Sequence, residues 1–224
     1  KDVSVNINVQ TENLGEGTSY NVIGQFNGTE TPEQYVLIGG HLDSWDLGTG
    51  ALDDGAGVAS MMAAAALIGQ MEQRPRRSIR VLLFAGEEIG FYGVLKYMEK
   101  HKDDIGGHIL GAEVDGGGGR INKLTSGVGE ESVQIVNEMY KLIAPCGIAW
   151  SGSNDATGAS DISVLGNAGM PVLDFSQNSN DYFKYHHTPN DTFDKIIPDD
   201  MRYLTAAYAT IFYMAAEMDI DFRQ

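Results

Sequence analysis

Residues 39–57, GGHLDSWDLGTGALDDGAG, constrain this chain more than any other stretch. An aliphatic run, Tyr35-Val36-Leu37-Ile38, leads into it, and an alanine-rich segment leaves it. Between them stand His41, Asp43, Asp53 and Asp54, among glycines that let the backbone turn without steric cost. Strand end, polar loop and helix start, in that order, are where an open α/β sheet presents a site. Histidine and aspartate with no cysteine nearby suit zinc or a similar divalent ion. The plainer reading is a hydrated loop with Asp53 or Asp54 capping the helix. Both readings fit this stretch taken alone.

Composition narrows the partners. The 31 acidic against 15 basic residues give a formal charge of −16, which argues against nucleic acid or an anionic membrane surface. The 224 residues, 42% hydrophobic, suffice for one core, so residues 1–224 are expected to form a single domain. No run approaches the roughly 18 apolar residues of a membrane span. The single cysteine, Cys146, permits no internal disulfide and leaves the compartment open. Lys1 has no initiator methionine or signal peptide ahead of it, as at a processing boundary. Asn27-Gly28-Thr29 and Asn190-Asp191-Thr192 fit a glycosylation sequon that also arises often by chance.

Periodicity supplies the elements. Residues 3–9 alternate apolar and polar, as a half-buried strand should, and a second strand is expected over 19–26. The run at 35–40 is continuous and apolar, which suits an interior strand. Helix is expected over 56–71, strand over 78–85, helix over 91–102 and strand over 109–114. A further strand at 120–125, a helix at 131–143 and a short strand at 148–151 follow. Helix at 161–168, strand at 171–175, a polar loop at 176–196 and a closing helix opened by Pro198 complete the chain. From residue 35 strands alternate with helices. The fold class is therefore α/β, a helix–sheet–helix sandwich on a mixed, mostly parallel sheet.

The polar residues just past the apolar strands or in the loops are His41, Asp53, Glu87, Glu88, Asp115 and His187. In an α/β sheet such ends converge on one edge. That many carboxylates cannot be buried together without cations. Two divalent ions sharing one bridging carboxylate resolve the conflict, and leave one of the paired glutamates free as a general base. Adjacent strand residues point to opposite faces, so Glu87 and Glu88 share a site only if the strand has already turned.

Five segments carry a resemblance: GGHLDSW at 39–45, LDDGAG at 52–57, FAGEEIGFYGV at 84–94, EVDGG at 113–117 and YHHTPNDT at 185–192. Each is weak alone, but in this order they resemble the M28 family of zinc peptidases over residues 19–215. The pattern is most similar to the branch with secreted aminopeptidases and plasma carboxypeptidase Q. The resemblance implies a zinc exopeptidase fold and two zinc ions. One would be held by His41, Asp53 and Asp115, the other by Asp53, Glu88 and His187, with Asp53 bridging. It assigns Glu87 as general base and gives Asp43 a carboxylate that orients His41. It further implies a cis Asp53–Asp54 peptide bond. Some relatives place an oxyanion-binding tyrosine directly before the last histidine ligand. Here His186 occupies that place and Tyr185 precedes it, so either is a candidate. Sequence ahead of residue 19, often with an inserted domain, is usual in the family.

The implied activity is hydrolysis of peptides or dipeptides, foremost by an aminopeptidase, in a secreted or periplasmic protein. A dipeptidase or carboxypeptidase of the same family is the alternative. It would need a cation for the substrate carboxylate, and Arg120, Lys123 and Lys184 are the candidates. A single-zinc acyltransferase resembling glutaminyl cyclases and a non-catalytic binding domain stand further off. A homodimer is compatible with the sequence, which does not specify the oligomer.

Overall fold

A computed structural model describes residues 2–178 and 181–224. Seven strands form one sheet in the order β1-β3-β2-β4-β7-β5-β6. They are β1 (Val22–Phe26), β2 (Thr31–His41), β3 (Arg77–Phe84), β4 (His108–Glu113), β5 (Ile121–Gly127), β6 (Ala149–Trp150) and β7 (Val172–Gln177). β2 runs parallel to both β3 and β4, and β4 parallel to β7, while β1 and β5 pair antiparallel with β3 and β7. The sheet is mixed and mostly parallel, as the alternation of elements leads one to expect.

The helices cover both faces. They are α1 (Ala56–Gly69), α2 (Tyr92–His101), α3 (Val133–Tyr140), α4 (Ile162–Asn167), α5 (Tyr182–Tyr185) and α6 (Pro198–Glu217). Val36 and Ile38 point into a core with Met61 and Ile68 of α1, Met139 of α3 and Tyr208 and Phe212 of α6. Leu37, one residue out of step, points to the other side with Leu82, Phe84, Val94 of α2 and Leu165 of α4. The period of two along β2 thus feeds two cores, and that is why its run is apolar throughout. By length and composition alone residues 51–69 could cross a membrane; here more than half of that stretch is buried, and α1 packs on α6.

Parallel neighbours end at the same edge. Register pairs His41 with Phe84 and Gly39 with Glu113, so the loops after β3, β2 and β4 leave the sheet side by side. Small side chains bring α1 close beneath them. A Cβ on Gly57 would lie 2.4 Å from the Val114 carbonyl oxygen, so no larger residue fits there.

One expected strand is not formed. Residues 3–9 have no regular structure, and Val3, Val5, Ile7 and Val9 are all at least 70% exposed. Alternation specifies an apolar face but not a surface to receive it. β1 is the sheet's outer strand and pairs only with β3 among the described residues. The expected helix at 131–143 is shorter, with a 3₁₀ turn at Glu130–Ser132 ahead of α3 and another at Ala144–Cys146 after it. The polar loop at 176–196 contains α5, which composition did not signal; residues 179 and 180 of that loop lie outside the described residues.

At the opposite edge of the sheet, His108 is buried among polar partners. Tyr97 Oη lies 2.8 Å from its Nε2, and Nδ1 meets the Asp104 carbonyl at 3.1 Å. Tyr35, Arg80 and His101 complete the surround: Arg80 stacks on the Tyr35 ring and donates to Tyr97 Oη. Burial pushes the His108 imidazole down to about 4, and Arg80 adds to that while the Asp104 carbonyl opposes it. The unfolded chain therefore binds the extra proton between pH 6.5 and 4, and stability falls as pH falls through that window. The loss attributable to His108 is about 3 kcal/mol. His108→Gln should flatten this part of the pH dependence, read as urea midpoints at pH 7 and pH 4.5. An equal acid loss in both proteins would show that His108 does not cause it.

Candidate metal centre

The two readings of residues 39–57 divide between the two aspartates. Asp54 is buried and caps: its Oδ2 accepts from the His41 N–H at 3.1 Å and its Oδ1 from the Gly57 N–H at 3.1 Å. Asp53 faces the other way. Its Oδ1 lies 3.2 Å from His41 Nε2, and its Oδ2 lies 3.4 Å from His186 Nε2 and 3.3 Å from His187 Nε2. The Asp53–Asp54 peptide bond is cis, as the resemblance implies, and so is Asp46–Leu47, which nothing in the sequence signals.

Three loops bring the remaining side chains to Asp53. Asp115, two residues beyond β4, places Oδ1 3.4 Å from His41 Nε2 and accepts from Ser160 Oγ through Oδ2. After β3 the chain turns at Gly86 (φ 74°), a left-handed conformation that glycine adopts without strain. That turn lets Glu87 and Glu88 serve one site. Glu88 Oε2 lies 2.8 Å from His187 Nε2, while Glu87 makes no hydrogen bond or ion pair through its carboxylate among the described residues. His187 itself is left-handed (φ 57°) and stacks on Trp45 at 4.8 Å.

These residues fit a metal. Donor atoms of His41, Asp53 and Asp115 all lie within 4.8 Å of one another, as do those of Asp53, His186 and His187. Asp53 Oδ2 and Glu88 Oε1 are buried with no hydrogen-bond partner, the state of ligand atoms awaiting a cation. The donor set is nitrogen and oxygen only, which suits zinc. Electrostatics point the same way. Burial works against charge on His41, yet hydrogen bonds to Asp115 and Asp53 override it and push the imidazole up to about 12. A proton there does part of what a cation would do. Burial and the nearby Asp115 push Glu87 up to about 7, and burial with Asp53 raises Glu88.

Comparison with known proteins bears on what such a centre belongs to. The sequence profile of Peptidase family M28 matches residues 21–212. The chain belongs to peptidase family M28. Carboxypeptidase Q of Rattus norvegicus is 32% identical over 217 residues, 97% of this chain and 46% of that protein. Carboxypeptidase Q of Homo sapiens is 34% identical over 201 residues, covering 90% of this chain and 42% of its own length. The chain thus spans less than half the length of these curated relatives. A crystal structure of a peptidase M28 precursor from Shewanella amazonensis superposes with a TM-score of 0.90 at 44% identity, over 94% of this chain and 47% of that one. The zinc aminopeptidase BSAP of Bacillus subtilis shares the fold, with a TM-score of 0.71 at 19% identity over 89% and 50% of the two chains.

Within this M28 framework two expected roles change hands. The Asp43 carboxylate does not orient His41: its Oδ1 is 3.8 Å from His41 Nδ1, which instead donates to the Asp43 main-chain carbonyl at 2.9 Å. The carboxylate is occupied by the glutamate turn, accepting from the N–H groups of Gly86, Glu87 and Glu88 at 2.8, 3.1 and 3.2 Å. The tyrosine nearest Asp53 is Tyr182, not Tyr185. In the helical turn α5, residues four apart share a face, so the Tyr182 and His186 rings meet at 4.9 Å, tilted by 42°, while Tyr185 turns toward Lys195. Burial and the neighbouring Asp53 and Asp115 carboxylates hold the Tyr182 hydroxyl protonated.

A further positioning residue, Asp191, was visible only as part of the last segment. It is buried, and its carboxylate accepts from the N–H groups of Leu52 at 2.7 Å and Asp53 at 3.1 Å. Its carbonyl accepts from Thr49, so the loop bearing His186 and His187 is tied to the turn bearing Asp53. An aspartate followed by threonine reads as a local turn former, and no sequence pattern signals the long-range contact.

Proposed function

We propose that this chain is the catalytic domain of a di-zinc exopeptidase that removes residues from the unblocked amino end of peptides. One observation carries the reading: the two oxygens of Asp53 face different histidines, while the nearby Glu87 carboxylate stays without a hydrogen-bond or ion-pair partner among the described residues. His41, Asp53 and Asp115 would hold one ion, and Asp53, Glu88 and His187 the other. Zinc at such a centre supplies Lewis acidity and a nucleophile competent at neutral pH.

The chain's own part is proton movement and positioning. Glu87 accepts a proton from the attacking water and returns it to the amine nitrogen as the C–N bond breaks. Asp43 fixes the backbone of residues 86–88, so the base and Glu88 keep their spacing. His186, stacked on His187 at 3.6 Å and held on its other side by the tilted Tyr182 ring, is placed to donate to the oxyanion that forms on the carbonyl oxygen. The surplus of carboxylates around the centre suits a substrate's α-ammonium group. Kinship with carboxypeptidase Q and with a protein described as a precursor supports a secreted or periplasmic enzyme.

The test pairs metal analysis of the full-length protein with aminoacyl anilides, free and N-acetylated. Two zinc ions per chain and release of aniline from the unblocked compound alone are expected. One ion, with an N-terminal glutamine closing its α-amine onto its own side-chain amide and releasing ammonia, would favour the glutaminyl-cyclase-like alternative. Zinc-replete protein that hydrolyses nothing would leave a binding domain.

A further inference from the structure

We propose that Trp45 is a positioning residue of the metal centre: its indole face fixes the His187 imidazole and strengthens the zinc site that His187 serves, leaving the other site alone. The inference rests on the two-zinc reading above and assigns a side chain to which that reading gives no part.

The two histidine ligands are held in different ways. A metal-bound histidine is ordinarily fixed by a hydrogen bond from its second ring nitrogen. His41 has one, for its Nδ1 donates to the Asp43 carbonyl at 2.9 Å. His187 does not. Its Nε2 faces Glu88 Oε2 at 2.8 Å and Asp53 Oδ2 at 3.3 Å, and its Nδ1 bonds to no protein group among the described residues. The side chain is also 35% exposed, so burial does not hold it either.

Rings on both faces hold His187 instead. The Trp45 indole lies 4.8 Å away at an interplanar angle of 13°, and the His186 imidazole 3.6 Å away at 19°. Two near-parallel rings this close to an imidazole cannot share one face, so they lie on opposite sides of it. Turning the His187 ring about Cβ–Cγ would drive its edge into one of them.

The loop that carries Trp45 is pinned at both ends. Ahead of it, the Asp43 carboxylate accepts from the N–H groups of Gly86, Glu87 and Glu88. Beyond it, Thr49 donates from its N–H and its Oγ1 to the Asp191 carbonyl, both at 2.9 Å. Gly48 runs so close to the residue after His187 that a Cβ there would lie 2.6 Å from the Thr188 carbonyl oxygen. The loop thus joins the turn of Glu88 to the turn of His187, two side chains that would hold the same ion. Trp45 itself is 46% exposed, and its indole N–H makes no hydrogen bond among the described residues. Its stack on His187 is therefore the contact that gives the ring a task.

Electron density gives that contact its sign. A bound divalent ion draws density from the imidazole, and the indole face is the most electron-rich among the aromatic side chains. The stack is stronger with the ion bound than without it, and the difference appears as zinc affinity. A ring that only filled space would support both states alike.

The experiment titrates zinc into metal-stripped, full-length protein by calorimetry against a competing chelator, comparing Trp45→Leu and Trp45→Phe with the unsubstituted chain. Two binding steps are expected in the unsubstituted protein. Trp45→Leu keeps apolar bulk without a ring face, and should weaken one step by about tenfold while leaving the other within about twofold. Trp45→Phe, with a less electron-rich face, should recover part of that loss. The unchanged step shows in the same sample that the variant is folded. Two steps unaltered by Trp45→Leu would overturn the role. So would equal weakening of both, the mark of a disturbed loop, or a Trp45→Phe protein no better than Trp45→Leu. A single step in the unsubstituted protein would fail the two-zinc reading on its own. Trp45 is then judged on that one ion, and an unchanged affinity in Trp45→Leu overturns the role. No binding at all would remove both.

Discussion

Glu87→Gln should retain its bound zinc and lose hydrolysis by about 10²–10⁴-fold, the usual contribution of a general base. The substitution keeps shape and the backbone bond to Asp43, and it removes only the ability to take a proton. None of the proposed ligands touches the Glu87 carboxylate in an ion pair, so metal content should not change. Glu88→Gln provides the contrast. Its Oε2 lies 2.8 Å from His187 Nε2, so an amide there should weaken zinc binding as well as turnover. Turnover of an unblocked anilide, measured with metal analysis on the same samples, separates the two. Near-normal rates in a zinc-replete Glu87→Gln protein would remove Glu87 from the role.

Much of this centre was legible because it obeys a rule of chain geometry. In parallel strands the loops after β2, β3 and β4 must leave one edge, so His41, the 87–88 pair and Asp115 meet however far apart they are in sequence. What was not legible depends on direction. Whether a tyrosine one or four residues before a histidine shares its face depends on a single helical turn, and α5 is only four residues long. The Asp43 carboxylate was misread for a similar reason, since the main-chain carbonyl of the same residue reaches His41 first. The strand expected at residues 3–9 failed differently. Its alternation is real, but among the described residues nothing receives its apolar face. Asp191 acts through contacts that span more than 130 residues, which local pattern does not encode.

Removing zinc should unfold the protein at markedly lower temperature as well as abolish activity. An ion held at a thousandfold above its dissociation constant contributes about 4 kcal/mol of stability. For a domain of this size 1 kcal/mol shifts Tm by roughly 2–4 °C, so loss of one such ion should lower Tm by roughly 8–16 °C. The structure gives the local reason. Asp53 Oδ2 and Glu88 Oε1 are buried without a hydrogen-bond partner, and a cation is the partner their surroundings lack. The effect should spread along Asp191, whose carboxylate holds the Leu52 and Asp53 N–H groups and ties the histidine loop to their turn. Stripping should therefore speed hydrogen exchange at the amides of Leu52 and Asp53 more than at the buried strand β2. Calorimetry before and after chelation, with zinc loss verified and then reversed, reads the first effect; exchange by mass spectrometry reads the second. An unchanged Tm after verified removal would mean that these carboxylates are accommodated without metal, and the centre would lose its strongest physical argument.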